Sequence, residues 1–141
     1  MTTVERIYKA LAALMAAQPA RPSADPFTFD LDPRDAETAW YIDPPSTVSD
    51  GAVGGVESVR ATFAIWLSRP AADDAAGAAV ALAGDVARLR HAVAALDVDP
   101  TGNVNVQPTI RTEIRPRASG AVTVVGRLVV SFDYEADAEN P

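Results

Sequence analysis

Apolar and polar side chains alternate along several stretches of this chain, and a period of two predicts strands half-buried against a core. In "SVRATFAIWLSR" (58–69), Val59, Ala61, Phe63, Ile65 and Leu67 share one side, with Arg60, Thr62 and Ser68 on the other. Trp66 falls on the polar side. The closing stretch "AVTVVGRLVVSFDYEADAENP" (121–141) sets Val122, Val124, Leu128, Val130, Phe132 and Tyr134 against Thr123, Arg127, Ser131 and Asp133. "VNVQPTIRTEIR" (104–115) alternates through Val104, Val106, Ile110 and Ile114, and "TAWYID" (38–43) is a short strand.

Two other stretches carry the helical period. Val4, Ile7, Tyr8, Leu11, Leu14 and Met15 form one stripe, Thr2 and Glu5 make a capping-box pattern, and Glu5 to Lys9 is a favourable pair one turn apart. A first helix is expected over about 3–17, stopped by Pro19 and Pro22. Pro70 ends the strand before the second helix, and Asp73 and Asp74 supply the negative charge that a helix N-terminus favours. Leu82, Val86, Leu89, Val93 and Leu96 then step by four and three residues, a single apolar seam. The flanks are mostly alanine with Gly77 and Gly84, so another backbone can approach closely.

Between these elements lie three connections. "PSADPFTFDLDPRDAE" (22–37) is turn-rich, with Phe27 and Phe29 as anchors. "PPSTVSDGAVGGVE" (44–57) has little bulk and reads as a long hairpin loop or a flexible arm. "DVDPTGN" (97–103) is a turn. Pairing the last two strands antiparallel with both apolar sides inward sets Ile114 against Val124, Ile110 against Leu128 and Val106 against Phe132. Pro108 cannot donate to a ladder and marks an edge or a bulge, and Gly126 suggests a bend. The expected fold is a single α+β domain over 1–141, in the order α-β-β-α-β-β. One mostly antiparallel sheet of about four strands carries two amphipathic helices, and 135–141 is a short acidic tail.

Composition narrows the function more than the fold. Hydrophobic residues make up 48% of the 141, an ordinary globular share. Cysteine is absent, which removes disulfides, thiolate metal sites and thiol nucleophiles together. The net charge is −7, with Lys9 the single lysine among twelve basic residues, so the surface repels phosphate and stable nucleic-acid binding is not expected. No apolar run reaches the roughly 20 residues of a membrane span. The opening "MTTVERIYKALAALMAAQPA" could pass for a secretory signal, but Glu5 in its would-be basic part and the helical period argue against that.

Candidate chemistry meets an obstacle at each position. His91 is the one histidine, too few for a histidine zinc site, and the serines at 23, 46, 49, 58, 68, 119 and 131 include no GxSxG elbow. "DGAVGG" (50–55) lacks the ending of a phosphate loop. Asp97, Asp99, Thr101 and Gly102 match the start of a calcium loop, but Pro108 stands where the bidentate glutamate belongs. Asp30, Asp32, Asp35 and Glu37 gather carboxylates without an evident substrate cradle. Arg111, Arg115, Arg117 and Arg127 concentrate positive charge on the outer face and turn of the final hairpin, with Glu113 offsetting part of it. No catalytic, metal or cofactor residue is assigned. The expectation is a protein that is not an enzyme.

The opening helix "VERIYKALAALM", the strand-to-helix unit "VRATFAIWLSRPAADDAAGAAVALAGDVARLRHAVAAL" and the closing strand "VGRLVVSFDYEA" together resemble the tail terminator and head–tail joining proteins of long-tailed bacteriophages and prophages. The match is one of element order and texture, and 18–57 has no counterpart in it. The resemblance implies a minor tail protein without catalytic residues, a structural subunit of virion assembly located at the tail and neck. Its subunits close into a ring, commonly a homohexamer, that caps the tail tube and joins the head connector. Expected partners are other copies, the major tail tube protein and the connector proteins, with DNA passing through the ring and no membrane. Two alternatives stand beside it. One is a neck stopper or tail-completion protein of the same kind, and the other a small-ligand-binding α+β domain lined by Trp40, Tyr41 and Trp66.

Overall fold

A computed structural model describes residues 1–18, 21–22, 39–71, 74–98, 105–116 and 123–141, with 21–22, 105–116 and 123 described by backbone and register. In chain order the elements are α1 (Thr3–Ala16), β1 (Arg21–Pro22), β2 (Ala39–Ile42), β3 (Ser46–Val53), β4 (Val56–Pro70), α2 (Ala75–Ala94), β5 (Asn105–Pro116) and β6 (Thr123–Ala136). The fold is α+β, a mostly antiparallel sheet with two helices. The four expected strands are β2, β4, β5 and β6. Two more appear, the two-residue β1, which pairs parallel to β2, and β3.

The order across the sheet is β1-β2-β4-β6-β5, with β3 also on β4. The long β4 and β6 form the spine, paired without a break from Glu57 opposite Ala136 to Pro70 opposite Thr123. On its other edge β4 serves two partners in succession. Its C-terminal half pairs with β2 (Ile42 opposite Ile65) and its N-terminal half with β3 (Ser46 opposite Thr62). Asp43, Pro44 and Pro45 break that edge into two strands, because proline offers no N–H to the ladder. Asp43 still donates its backbone N–H to the Ala64 carbonyl at 2.9 Å.

One face of the sheet is covered. Phe63, Ile65, Leu128, Val130 and Phe132 are buried there together with Ile7, Leu11 and Met15 of α1 and Leu82, Val86, Leu89 and Val93 of α2. Phe63 and Phe132 meet edge to face, centroids 5.9 Å apart, a favoured aromatic geometry. The expected seam of α2 is therefore the buried one. In α1, Tyr8 is 44% exposed although it was expected within the stripe. At the start of α2, Asp74 is the N-cap and accepts from the Gly77 N–H at 2.9 Å. A Cβ at Gly77 would lie 2.1 Å from the Asp74 carboxylate, so the cap itself accounts for that glycine. Asp73 lies outside the described residues.

The β5–β6 pairing matches expectation at one end and departs from it at the other. Val106 stands opposite Phe132, as expected. Between Gln107 and Arg111 the register shifts, so that Thr112 rather than Ile110 faces Leu128, and Ile114 faces Gly126 rather than Val124. Pro108 falls inside that shift and on an edge strand, which explains it: a residue without a donor is accommodated where pairing lapses. The offset is two residues, so the apolar parity is preserved.

Candidate interaction surface

The stretch 44–57, expected as a loop or arm, carries a strand, which corrects the loop reading. Val53 pairs with Val56 around Gly54 and Gly55, whose φ values of +63° and +82° are those of a type I′ two-residue hairpin turn. Further down, Asp50 and Gly51 together face Ser58, a β-bulge in which Gly51 takes φ +89° and donates to the Ser49 hydroxyl at 3.1 Å. All three glycines of "DGAVGG" thus hold left-handed backbone positions. Every residue of β3 is exposed, and on β4 the residues from Val56 to Arg60 are exposed or half-exposed. The hairpin is an arm that extends the sheet past its helices.

The sheet face opposite the helices is mostly polar. Arg60 grips Asp133 with two hydrogen bonds, Nε to Oδ1 at 2.7 Å and Nη2 to Oδ2 at 3.0 Å, directly across the β4–β6 pair. Those bonds, with the added attraction of Asp50, hold the guanidinium pKa above its ordinary value. Next along the pair, Thr62 and Ser131 share a hydrogen bond at 2.9 Å. Arg127 then lies over the Trp66 ring at 5.3 Å from its centroid, while the Trp66 indole N–H donates to Asp43 at 2.8 Å. By register, Glu113 stands opposite Arg127, with Arg111 and Arg115 on the same side of β5. The expected basic concentration is therefore assembled in part, Arg117 lying outside the described residues.

On the covered side, a groove of about 420 Å³ opens where the arm leaves the core. Thr47, Ser49 and Val59 of the hairpin form one wall, Tyr134 and Ala136 of β6 the floor, and Val4 of α1 the far side. The Tyr134 phenol is pushed above its ordinary pKa by burial, with the Glu57 carboxylate adding to the effect. The last residues close one end: Asp137 accepts from the backbone N–H groups of Glu139 and Asn140, and Pro141 accepts from the Thr3 N–H at 2.7 Å. That last bond satisfies one of the donors a helix N-terminus leaves open.

The remaining sequence candidates are scattered. His91 is exposed on the outer side of α2 among Ala87, Arg88 and Ala92. Trp40 packs on the helix-covered core, whereas Tyr41 and Trp66 sit together on the opposite face. Alternation along β2 separates them, so the three aromatics do not line one pocket. Asp30, Asp32, Asp35, Glu37, Asp99, Thr101 and Gly102 lie outside the described residues, as do Phe27 and Phe29. Asp97 is exposed beyond α2, and among the described residues no group of three acidic or histidine side chains could hold a metal. No described helix is long and apolar enough to cross a membrane. Sequence reasoning missed β3, although a Gly-Gly pair between two valines is a hairpin signal.

No protein-family model matches the chain, and no curated protein does.

Proposed function

We propose that this chain is a structural assembly subunit of the tail-terminator type, closing into a ring that caps a phage tail tube and offers the head connector a docking surface. The observation that carries the proposal is the arm: fifteen residues, 46–60, whose side chains are exposed or half-exposed, built on a spine whose other end is packed under two helices. A hairpin held out from a rigid base is suited to gripping other protein surfaces. Its β3 edge, which pairs with β4 alone among the described residues, is of the kind that partner strands extend. The polar sheet face offers a second contact area that the helices leave open, and the acidic balance of the chain suits a ring through which DNA passes without adhering.

The experiment is electron microscopy of tail tubes polymerised from the major tail tube protein, with and without this protein. Rings at one end of tubes of limited length are the expected result. Tubes that keep growing and carry nothing at their ends would remove the proposal.

A further inference from the structure

Strand parity gives the arm two unlike sides. Across the β3–β4 pair, Thr47 faces Ala61, Ser49 faces Val59 and Ala52 faces Glu57, all on the helix-covered side where the groove lies. Val48 faces Arg60 and Val53 faces Val56, on the other side. The bulge at Asp50 and Gly51 keeps Val53 on the same side as Val48 by inserting one extra residue between them. Val48, Val53 and Val56 are 65%, 83% and 40% exposed, three of the six large apolar residues left exposed among the described residues. So a single hairpin carries apolar knobs on one side and a groove with Val59, Tyr134 and Ala136 on the other.

Charge follows the same division. At the foot of the knob side stands Arg60, its side chain 57% exposed, using Nε and Nη2 on Asp133 and keeping its other N–H groups for an outside acceptor. At the rim of the groove stand two carboxylates, Glu57 and Asp137. Because knobs and groove lie on opposite sides of one element, each copy of the chain brings both halves of the contact. Such an interface is heterologous: repeated, it closes into a ring or runs on as a filament.

We infer that the arms of successive copies stack head to tail, with Val48, Val53 and Val56 of one copy seated in the groove of the next and Arg60 meeting Glu57 and Asp137 across the joint. The inference deepens the assembly reading and rests on it for closure of the ring.

The chain has no cysteine, so disulfide trapping starts from a silent background. Val53→Cys marks the knobs and Thr47→Cys the groove wall, both at exposed hairpin positions. Oxidised with copper phenanthroline, the double variant is expected to give a ladder of cross-linked species ending at the closed ring. A mixture of the two single variants should stop at dimers. Covalent dimers of Val53→Cys alone would mean a tip-to-tip, two-fold contact and overturn the inference. Absence of a ladder in the double variant overturns it too, whatever the mass of the wild-type particle. The paired substitution Val48→Asp and Val53→Asp should weaken self-association by about tenfold or more with the monomer still folded by circular dichroism, and unchanged association counts against it. Cross-linked rings that leave tail tubes uncapped keep the arm contact and remove the capping role. Capped tubes whose subunits never cross-link do the reverse.

Discussion

Strand β4 is two different environments on one continuous backbone. From Ala61 to Leu67 its odd positions are buried under α1 and α2, and its other edge passes from β3 at Ala61 and Thr62 to β2 from Ile65 onward. From Val56 to Arg60 the same alternation continues, the same partner β6 runs alongside, yet the side chains meet solvent and the free edge is taken by β3. Pairing therefore does not decide which half is core. The helices do, because only they remove the apolar side from water. A strand that runs beyond its helices keeps its hydrogen bonds and loses its burial, and what remains is a surface held rigidly in place.

The largest test of that contrast sets a base residue against an arm residue. Phe63→Ala deletes a fully buried ring and its edge-to-face contact with Phe132, and should cost about 3–5 kcal/mol in unfolding free energy measured by denaturant titration. Val53→Ala, at the tip of the arm, removes an exposed side chain and should stay within about 0.5 kcal/mol of wild type. If the two cost alike, the arm is packed in the isolated subunit and the contrast is lost.

Next in size are the turn glycines. Gly54 and Gly55 have open space where a Cβ would go, so any penalty comes from their positive φ alone. Gly54→Ala and Gly55→Ala should each cost about 1–2 kcal/mol of hairpin stability. The loss belongs to the arm: amide exchange across β3 should speed up while protection of Phe63 and Leu128 is unchanged. A uniform loss of protection would show that arm and base unfold as one unit.

The contrast also explains what the sequence made legible. Long β4 and β6 and both helices were legible because burial imposes a strict period on Phe63, Ile65, Leu128 and Phe132, and on Leu82, Val86, Leu89 and Val93. Strand β3 was not. With no side to bury it needs no alternation, and "STVSDGAV" is interrupted by a bulge that shifts its parity midway. The same reasoning applies at β5, where Pro108 announced an irregularity but not how many residues it would hold. The candidate surface was legible only as a suspicion of an arm. Its two-sidedness depends on pairing register, which one sequence read alone does not contain.

A smaller effect separates the helix end from the arm beside it. The Thr2 hydroxyl accepts from the Glu5 N–H at 3.3 Å while the Glu5 carboxylate accepts from the Thr2 N–H at 2.6 Å, which lowers the Glu5 pKa below its ordinary value. Thr2→Ala should cost about 1 kcal/mol by thermal or denaturant unfolding, a cap's worth. The Glu5 contribution is a depressed-pKa one, present above the unfolded value of 4.5 and lost as pH falls through the folded one. Wild-type stability should therefore drop more than that of Glu5→Gln on acidification below that value.

The finest probe sits on the boundary itself. Tyr134 pairs with Val59, the first half-exposed position beyond the core, and is 8% exposed where the groove begins. Burial and then Glu57 raise its phenol above the ordinary 10.0, so at alkaline pH the folded chain holds a proton that the unfolded chain has released. The advantage of the folded state is complete below the unfolded value and is lost as pH rises through the folded one. Unfolding midpoints of wild type should accordingly fall from roughly pH 10 upward, and Tyr134→Phe should remove that part of the slope. Glu57→Gln should remove a lesser part, because the carboxylate is the second cause and burial the first. If neighbouring arms fill the groove, assembly buries Tyr134 further and raises its folded pKa again, so the slope still begins at the unfolded value but continues to higher pH. A slope that ends at the same pH in monomer and assembled particle would place the groove outside the contact, leaving the base of the arm as exposed in the assembly as in the single chain.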